Sequence, residues 1–469
     1  MIINNLENFQ KKENFVIIIG SGPAGIASAL AFEKKKIECL VIEAGDQTEK
    51  NKNLEFLKGK FVGDNYNHLE TSRLRVFGGT GNHWGGNCNP MKIEDFEDWP
   101  INFNDLNVFK NEAKKILNLK NDFFLEKYNE NLNLYNLDWS DVKFGKKYFN
   151  HFKKSKYIHL SLNTIFQSFN GKNGNILSLN CFKNKNYKLK SKYFILSCGG
   201  IENSRLLLWS QNKNPKLFNH SLPIGNYYMD HPFNLVGDGI INYKNFKSYN
   251  LRNNIKNAPL ITCNNSMFLS CNRNFLNKMN ILNSGLYIGI IVNMDNNLFK
   301  QLRCVAPNFI KNIYEKSTVK ENYQITVEIL QEQKALYDRK IILGKELDPI
   351  GMPLPEVHWW KTDLERYSAR IIAEEFGKIL VENQIGRIGL EEYLFNKEDY
   401  NPTVGYHQLG GTIMGNDYKD SVVDKNLKVH GFKNLFINGS SVFTTGSHVH
   451  PTYTIVLLAT RLSNYISKL

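Results

Sequence analysis

The stretch "FVIIIGSGPAGIASALAFEKKKIECLVIEAG", Phe15 to Gly45, constrains the fold of this chain more than any other. "FVIII" is an unbroken apolar, mostly β-branched run, the pattern of a strand buried on both faces. A turn follows from Gly20 to Gly25. Ala24 to Lys36 then reads as a helix of small residues, and "ECLVIEA" as a second buried strand. Strand, helix and strand in this order form a βαβ unit of a parallel sheet.

Within the turn, Gly20, Gly22 and Gly25 keep the spacing G-x-G-x-x-G. The first glycine allows the tight turn, the second lets a pyrophosphate approach the backbone, and the third packs the helix on the strand. The helix N-terminus, with Pro23 and Ala24 beside it, offers N–H groups and positive potential to phosphates. Glu43 ends the second strand, eighteen residues after Gly25. A carboxylate there accepts from ribose hydroxyls and selects a 2′-OH over a 2′-phosphate. The spacing alone does not separate NAD from FAD.

At 469 residues the chain is long enough for two domains, or one interleaved pair. Its 42% hydrophobic and 12% aromatic content marks a folded protein. The net charge of +14 comes from lysines spread throughout, as in "CFKNKNYKLKSK". No basic stripe interleaved with aromatics and no helix-turn-helix, zinc-finger or RNA-binding signature accompanies it, so no nucleic-acid partner is expected. An anionic substrate is the functional reading the charge leaves, and peripheral membrane contact through the lysines stays open.

Seven cysteines (Cys39, Cys88, Cys181, Cys198, Cys263, Cys271 and Cys304) form no C-x-x-C. Reduced, buried thiols are expected, with neither a disulfide framework nor a metal site. The opening "MIINNLENFQKKENF" lacks the apolar stretch of a secretory signal. No run of about 18 apolar residues occurs, so no transmembrane segment is expected and the cytoplasm is the expected compartment.

A second glycine-rich stretch, "RVFGGTGNHWGG", runs from Arg75 to Gly86 and holds His83 and Trp84. Glycine serves where backbone approaches a ligand or takes positive φ. The residues between Gly45 and this stretch read as a polar loop. "LNVFKNEAKKILNL" reads as helix. Beyond Tyr157, "YIHLSLNTIFQSF", "NILSLNCF", "YKLK" and "YFILSCGG" read as short strands, and "IENSRLLLWS" as a helix. Residues 226–400 mix strands ("SGLYIGIIVNM", "NYQITVEIL") with a long helix from Asp363 to Asn383. The last seventy residues return to α/β texture, with the strand "NLFING" and the helix "PTYTIVLLATRLSNYI".

These motifs together resemble the glucose–methanol–choline (GMC) oxidoreductases of bacterial type, with pyranose-oxidase-like features. "GGTGNHWGG" resembles the family's flavin-binding signature. "SCGGIENSRLLLWS" is similar to the strand-turn-helix closing its FAD domain, and "IGNYYMDHP" to its crossing into the substrate domain. "DRKIILGKELDPIGMPLPEVHW" is similar to a strand-and-turn segment of the family. "GYHQLGGTIMG" and "VVDKNLKVHGFKNLFINGSSVFTTGSHVHPTYTIVLLATRL" resemble its C-terminal signature. The matches are collinear and cover nearly the whole chain.

The resemblance implies an α/β fold: a doubly wound, Rossmann-type FAD-binding domain with an α+β substrate-binding domain on an antiparallel sheet. The FAD domain would be assembled from residues 1–95, 151–225 and 401–469. The substrate domain would span 226–400, with 96–150 as a helical segment at the interface. FAD is the implied cofactor, held by Gly20, Gly22, Pro23, Ala24, Gly25, Glu43, Ala44, Gly78, Gly79, Asn82, His83, Trp84, Ile165, Cys198, Gly199, Asn438, Gly439, His450, Pro451 and Thr452. His83 matches the histidine that some members link covalently to the flavin, while Trp84 packs.

The implied reaction is oxidation of an alcohol CH–OH, of a sugar or polyol, to the carbonyl. It needs a base for the hydroxyl proton while hydride leaves for flavin N5, and histidine suits that near neutral pH. His407 and His450 match the family's catalytic pair. Pro451 suits a first helical position, so His450 falls at the N-cap, where positive potential disfavours imidazolium. His407 is then the base, and His450 positions the hydroxyl. His448 is expected in a cofactor or structural contact, His231 as a structural residue of the domain junction, and Asp424 in a turn. The chain departs from the family at Thr444, where proline is usual, and many members carry asparagine at the position of His450. Substrate identity therefore does not transfer. The electron acceptor (oxygen, quinone or a redox protein) is not encoded in any motif. Alternatives are a lyase of the hydroxynitrile type, which keeps FAD as structure, and a noncatalytic flavoprotein. Anaerobic bleaching of the flavin by substrate separates these from an oxidoreductase.

Overall fold

The computed structural model describes residues 1–469 except 11, 14, 50, 65, 67–68, 254–266, 291–321, 399 and 401–402. Its centre is a five-stranded parallel sheet in the order Leu435–Ile437, Tyr193–Leu196, Val16–Ile19, Cys39–Ile42, Ile158–Ser161. Every residue of Val16–Ile19 and Cys39–Ile42 is buried, as expected of apolar runs covered on both faces. The helices Pro23–Lys34 and Pro451–Ile466 pack against each other beside it. A three-stranded antiparallel sheet, Ile165–Lys172, Asn175–Lys183 and Lys185–Leu189, adjoins it.

The second layer is an antiparallel sheet in the order Gly386–Leu390, Pro232–Asn242, Asn322–Gln331, Ser284–Ile290, Met267–Cys271, Leu132–Tyr135, Leu125–Lys127. The helix Asp363–Glu382 lies on it. Its buried residues Ala369, Ile372, Ala373, Phe376, Ile379 and Leu380 recur at helical spacing, and they share one core with Val236, Leu286, Ile325, Val327 and Ile329 of the sheet. Thr362 and Glu365 cap the helix reciprocally. The α/β class, with a Rossmann-type sheet and a second domain on an antiparallel sheet, is the one the sequence implies.

Three local readings are corrected. The stretch read as loop before Arg75 contains a strand, Lys60–Gly63, paired in parallel with Pro353–Trp359. Residues 96–150 supply two strands of the antiparallel sheet as well as helices. Thr403–Val404 also pairs onto that sheet. The strand read as "SGLYIGIIVNM" covers Ser284–Ile290, and its remainder lies outside the described residues, as do Cys263 and Cys304. The other five cysteines are free thiols, four of them buried. Among the described residues, no helix is long and apolar enough to cross a membrane.

Candidate active site

A cavity of about 470 Å³ opens at the carboxyl ends of the parallel strands, lined by Gly20, Glu43, Ser197 and Gly439, each just past a strand end. Ligands of open parallel sheets bind in this position. Gly20 has φ +98°, and a Cβ there would stand 2.6 Å from the Ser197 carbonyl oxygen. A Cβ on Gly25 would stand 2.0 Å from the Gly20 carbonyl oxygen, so Gly25 serves helix packing and does not line the cavity. At Gly22 and at Gly199 nothing lies within 4 Å of a Cβ, and both face the cavity. The bare backbone leaves room there for a ligand.

The first turns of three helices line this one cavity: Pro23 and Ala24, Gly200 and Ile201, Pro451 and Thr452. Their unpaired N–H groups and positive ends suit an anionic ligand. Ala44, Gly79, His83, Trp84, Ile165 and Cys198 also line it. His83 is exposed, whereas Trp84 donates from Nε1 to the Val142 carbonyl at 2.7 Å and packs on Phe144.

Three further residues expected at the cofactor stand behind the wall. Gly78 has φ +95°, and a Cβ there would meet Gly145 N at 2.4 Å. Asn82 donates to the Phe77 carbonyl (2.8 Å) and accepts from Gly145 N–H (2.7 Å), fixing the loop to the helix Phe144–Lys154. Asn438 is fully buried, donates to Ser28 Oγ (3.1 Å) and accepts from Gly439 N–H (2.8 Å). All three support backbone that reaches the cavity.

Glu43 lines the cavity, but its carboxylate already accepts three bonds from the chain. Oε2 takes Ser21 N–H (3.0 Å) and Ser21 Oγ–H (2.6 Å), and Oε1 takes Gly45 N–H (2.7 Å). Burial raises its pKa, while these donors and Arg75 pull the other way. Of about four acceptor sites on a carboxylate, one is left for a ribose hydroxyl.

The sequence reading missed a group of charged residues on the cavity wall. Arg75 lies flat over the Phe56 ring at 3.6 Å. Arg205 bonds Glu202 (2.8 Å) and Asp348 (2.7 Å), and Glu202 also pairs with Arg73 (3.2 Å). Glu202 and Arg205 are an i,i+3 pair on one helix, but Arg73 and Asp348 come from distant segments that no spacing along the chain links to them.

At the histidine end, the His407 and His450 rings lie 5.0 Å apart and 75° inclined, and both line the cavity. His450 caps the helix Pro451–Ile466 at its N-terminus (φ −66°, ψ 129°), with Pro451 first. Burial lowers its pKa to about 3. Burial, with His231 and His450 beside it, also pulls His407 well below the ordinary histidine value. Both rings are therefore neutral at pH 7. The preceding Tyr406 has φ +55°, a left-handed backbone that is strained for a bulky residue. The His407 N–H donates to Asp230 Oδ1 at 2.9 Å.

His231 requires a correction. Expected as a junction residue, it bonds directly to His407, Nδ1 to Nδ1, at 2.9 Å. The stretch "IGNYYMDHP" around it carries no sign of that partner, 176 residues away. His448 lies off the cavity, fully buried and stacked on Phe268. Asp424 Oδ1 accepts from Asn426 and Lys428 N–H in a turn. Thr444, where the family has proline, donates its hydroxyl to the Met414 carbonyl at 3.0 Å.

The cavity with its histidine pair lies between a Rossmann-type sheet and a second domain on an antiparallel sheet. Residues 341–459 match the family model described as GMC oxidoreductase, and this part of the chain is similar to that family. The fructose dehydrogenase large subunit of Gluconobacter japonicus is 28% identical over 291 residues, 60% of this chain and 48% of that protein. The 2-methyl-1,2-propanediol dehydrogenase of Mycolicibacterium austroafricanum is 33% identical over 121 residues, 26% of this chain and 21% of that protein. The chain thus spans about half, or less, of the length of these curated relatives. The crystal structure of pyridoxine 4-oxidase from Mesorbium loti superposes with a TM-score of 0.61 at 13% identity, covering 97% of this chain and 100% of that one, and shares the fold.

Proposed function

We propose that this chain binds FAD in the cavity and oxidises a CH–OH group of a small alcohol, sugar or polyol to the carbonyl. The observation that carries this reading is the neutral His407–His450 pair, facing the same cavity as the bare Gly20–Gly25 turn. FAD held there would supply a two-electron acceptor for the hydride of the carbinol carbon. The remaining tasks belong to the chain. The open space at Gly22 and the helix that starts at Pro23 suit a pyrophosphate. His407, unprotonated at neutral pH, takes the hydroxyl proton, and His450 holds the hydroxyl oxygen. The N-terminal end of the helix Pro451–Ile466 favours negative charge that develops beside it. His83, exposed at the cavity edge, is the residue we propose for covalent attachment of the cofactor.

The names of the two curated relatives, a fructose and a diol dehydrogenase, support a sugar or polyol as substrate. The test is anaerobic addition of D-fructose, 2-methyl-1,2-propanediol and a panel of further sugars and polyols to the yellow protein. Bleaching of the flavin band is expected with at least one of them. A protein that folds colourless, or whose flavin stays oxidised with every compound, overturns the reading. Reoxidation of the bleached protein by oxygen, a quinone or a redox protein then identifies the acceptor class.

A further inference from the structure

We propose that His231 is the positioning residue that locks His407 into the tautomer protonated at Nδ1, leaving the lone pair of His407 Nε2 for the substrate proton. The proposal rests on the reading of His407 as the base.

The chain of bonds begins at a carbonyl. Nε2 of His231 lies 3.1 Å from the Gly446 carbonyl oxygen, which can only accept, so His231 Nε2 carries a hydrogen and donates it. His231 is fully buried, and burial lowers its pKa to about 4. A neutral imidazole has one N–H, and it is spent on Gly446. Nδ1 of His231 is then an acceptor. It stands 2.9 Å from Nδ1 of His407, a hydrogen-bond distance that needs one hydrogen between the two nitrogens. Only His407 can supply it. His407 is neutral as well, so its single hydrogen sits on Nδ1 and its Nε2 is bare. The opposite tautomer of His407 would bring two lone pairs together at that distance in a buried site, at the cost of an unmade hydrogen bond.

The pair is rigidly held. Asp230 Oδ1 accepts both the His231 N–H (2.7 Å) and the His407 N–H (2.9 Å), so one carboxylate oxygen fixes both backbones. Tyr66 donates its phenol to the other oxygen of Asp230. A Cβ on Gly446 would stand 3.0 Å from His231 Nε2, so a glycine lets the carbonyl come close. A base oriented by a third group is a recurring arrangement in proton-transfer catalysis. Here that group is another histidine, and its own tautomer is set by a main-chain carbonyl.

The test reads tautomers directly. Holoprotein labelled with 15N-histidine is examined by long-range 1H–15N correlation at pH 7.5, and the His407 signals are those lost in His407→Ala. The expected pattern for His407 is a protonated Nδ1 and a bare Nε2, with the reverse for His231. A His407 protonated at Nε2, or averaged between tautomers, overturns the proposal without any variant at position 231. In His231→Leu the Nδ1–H pattern of His407 should vanish. With the panel compound that bleaches the wild type, flavin reduction in His231→Leu should fall about 10- to 100-fold, the worth of a lost buried hydrogen bond. His231→Asn, whose Oδ1 can accept where Nδ1 did, should recover part of that loss. Wild-type reduction by a folded, yellow His231→Leu overturns the proposal. Should His407→Ala itself reduce flavin at the wild-type rate, the base assignment fails, and the spectra still decide the His231–His407 pairing on its own.

Discussion

The phenol oxygen of Tyr287 lies 3.3 Å from Nδ1 of His450, joining the antiparallel sheet to the cap of the last helix. Burial pushes the phenol far above its usual pKa, so it stays protonated at neutral pH. As a donor to Nδ1 it leaves the His450 proton on Nε2, where it can hold a substrate hydroxyl. Tyr287→Phe should slow flavin reduction by about 3- to 10-fold, the worth of one neutral hydrogen bond. Stopped-flow measurement at saturating substrate is the check, and an unchanged rate would remove Tyr287 from the site.

Gly22→Val should leave the fold intact and abolish cofactor retention. Among the described residues and apart from its two chain neighbours, nothing lies within 4 Å of the new side chain's first carbon, so the side chain enters the ligand space instead of the core. A far-ultraviolet spectrum like that of the wild type with no yellow colour is the expected pair of results. A variant as yellow as the wild type contradicts the pyrophosphate assignment.

His407→Ala should slow flavin reduction by roughly 10²–10⁴-fold with FAD retained, the usual range for a positioned base. His450→Asn should be milder, because the amide still bonds a hydroxyl. A base acts only when unprotonated, and burial beside two histidines lowers the His407 pKa. The wild-type rate should therefore be level from pH 7 upward and fall on the acid side, below the ordinary histidine value near 6.5. A step centred near or above that value would show that His407 is not shielded as described.

His448 offers a stability test away from the chemistry. It is fully buried on Phe268, its Nε2 has no hydrogen-bond partner among the described residues, and burial lowers its pKa well below the ordinary value. The unfolded chain takes up a proton at this residue below about pH 6.5 while the folded chain does not, so stability is lost as pH falls. His448→Phe removes that loss of about 1.4 kcal/mol per pH unit. The Tm of the variant should rise relative to the wild type between pH 7 and pH 5. A Tm difference independent of pH would contradict a neutral, buried His448.

Covalent attachment at His83 is read by acid precipitation. Yellow colour should stay in the wild-type pellet and pass to the supernatant in His83→Ala. Free FAD released from the wild type ends the covalent reading and leaves the alcohol oxidation untouched.

What was legible in the sequence is what depends on neighbours along the chain. The Gly20–Gly25 turn, the buried strands around it and the cap at His450 each follow from a few adjacent residues. Glu43 was correctly placed at a strand end, yet its use by Ser21 and Gly45 depends on how the turn curls back over it. The strand Lys60–Gly63 has no two-residue alternation, with exposed ends and a half-buried middle, and takes its conformation from Pro353–Trp359. The partnership of His231 and His407 exists only once Pro232–Phe233 pairs with Thr403–Val404, and that of Arg205 and Asp348 only once the helix Gly200–Lys213 docks on the turn after Lys340–Leu347. Such long-range polar pairs leave no periodicity to read.

Three helices begin at the cavity wall, and their positive ends meet there. An anion near each such end gains roughly 0.3–1 kcal/mol, so the backbone of three separate segments favours negative charge at one place. Affinity for an anionic ligand is thus partly stored in the architecture before the ligand arrives. On the proposed reading that FAD is this ligand, a cell that runs short of it should lose folded chain as well as turnover, and cofactor supply becomes a determinant of how much of this protein accumulates.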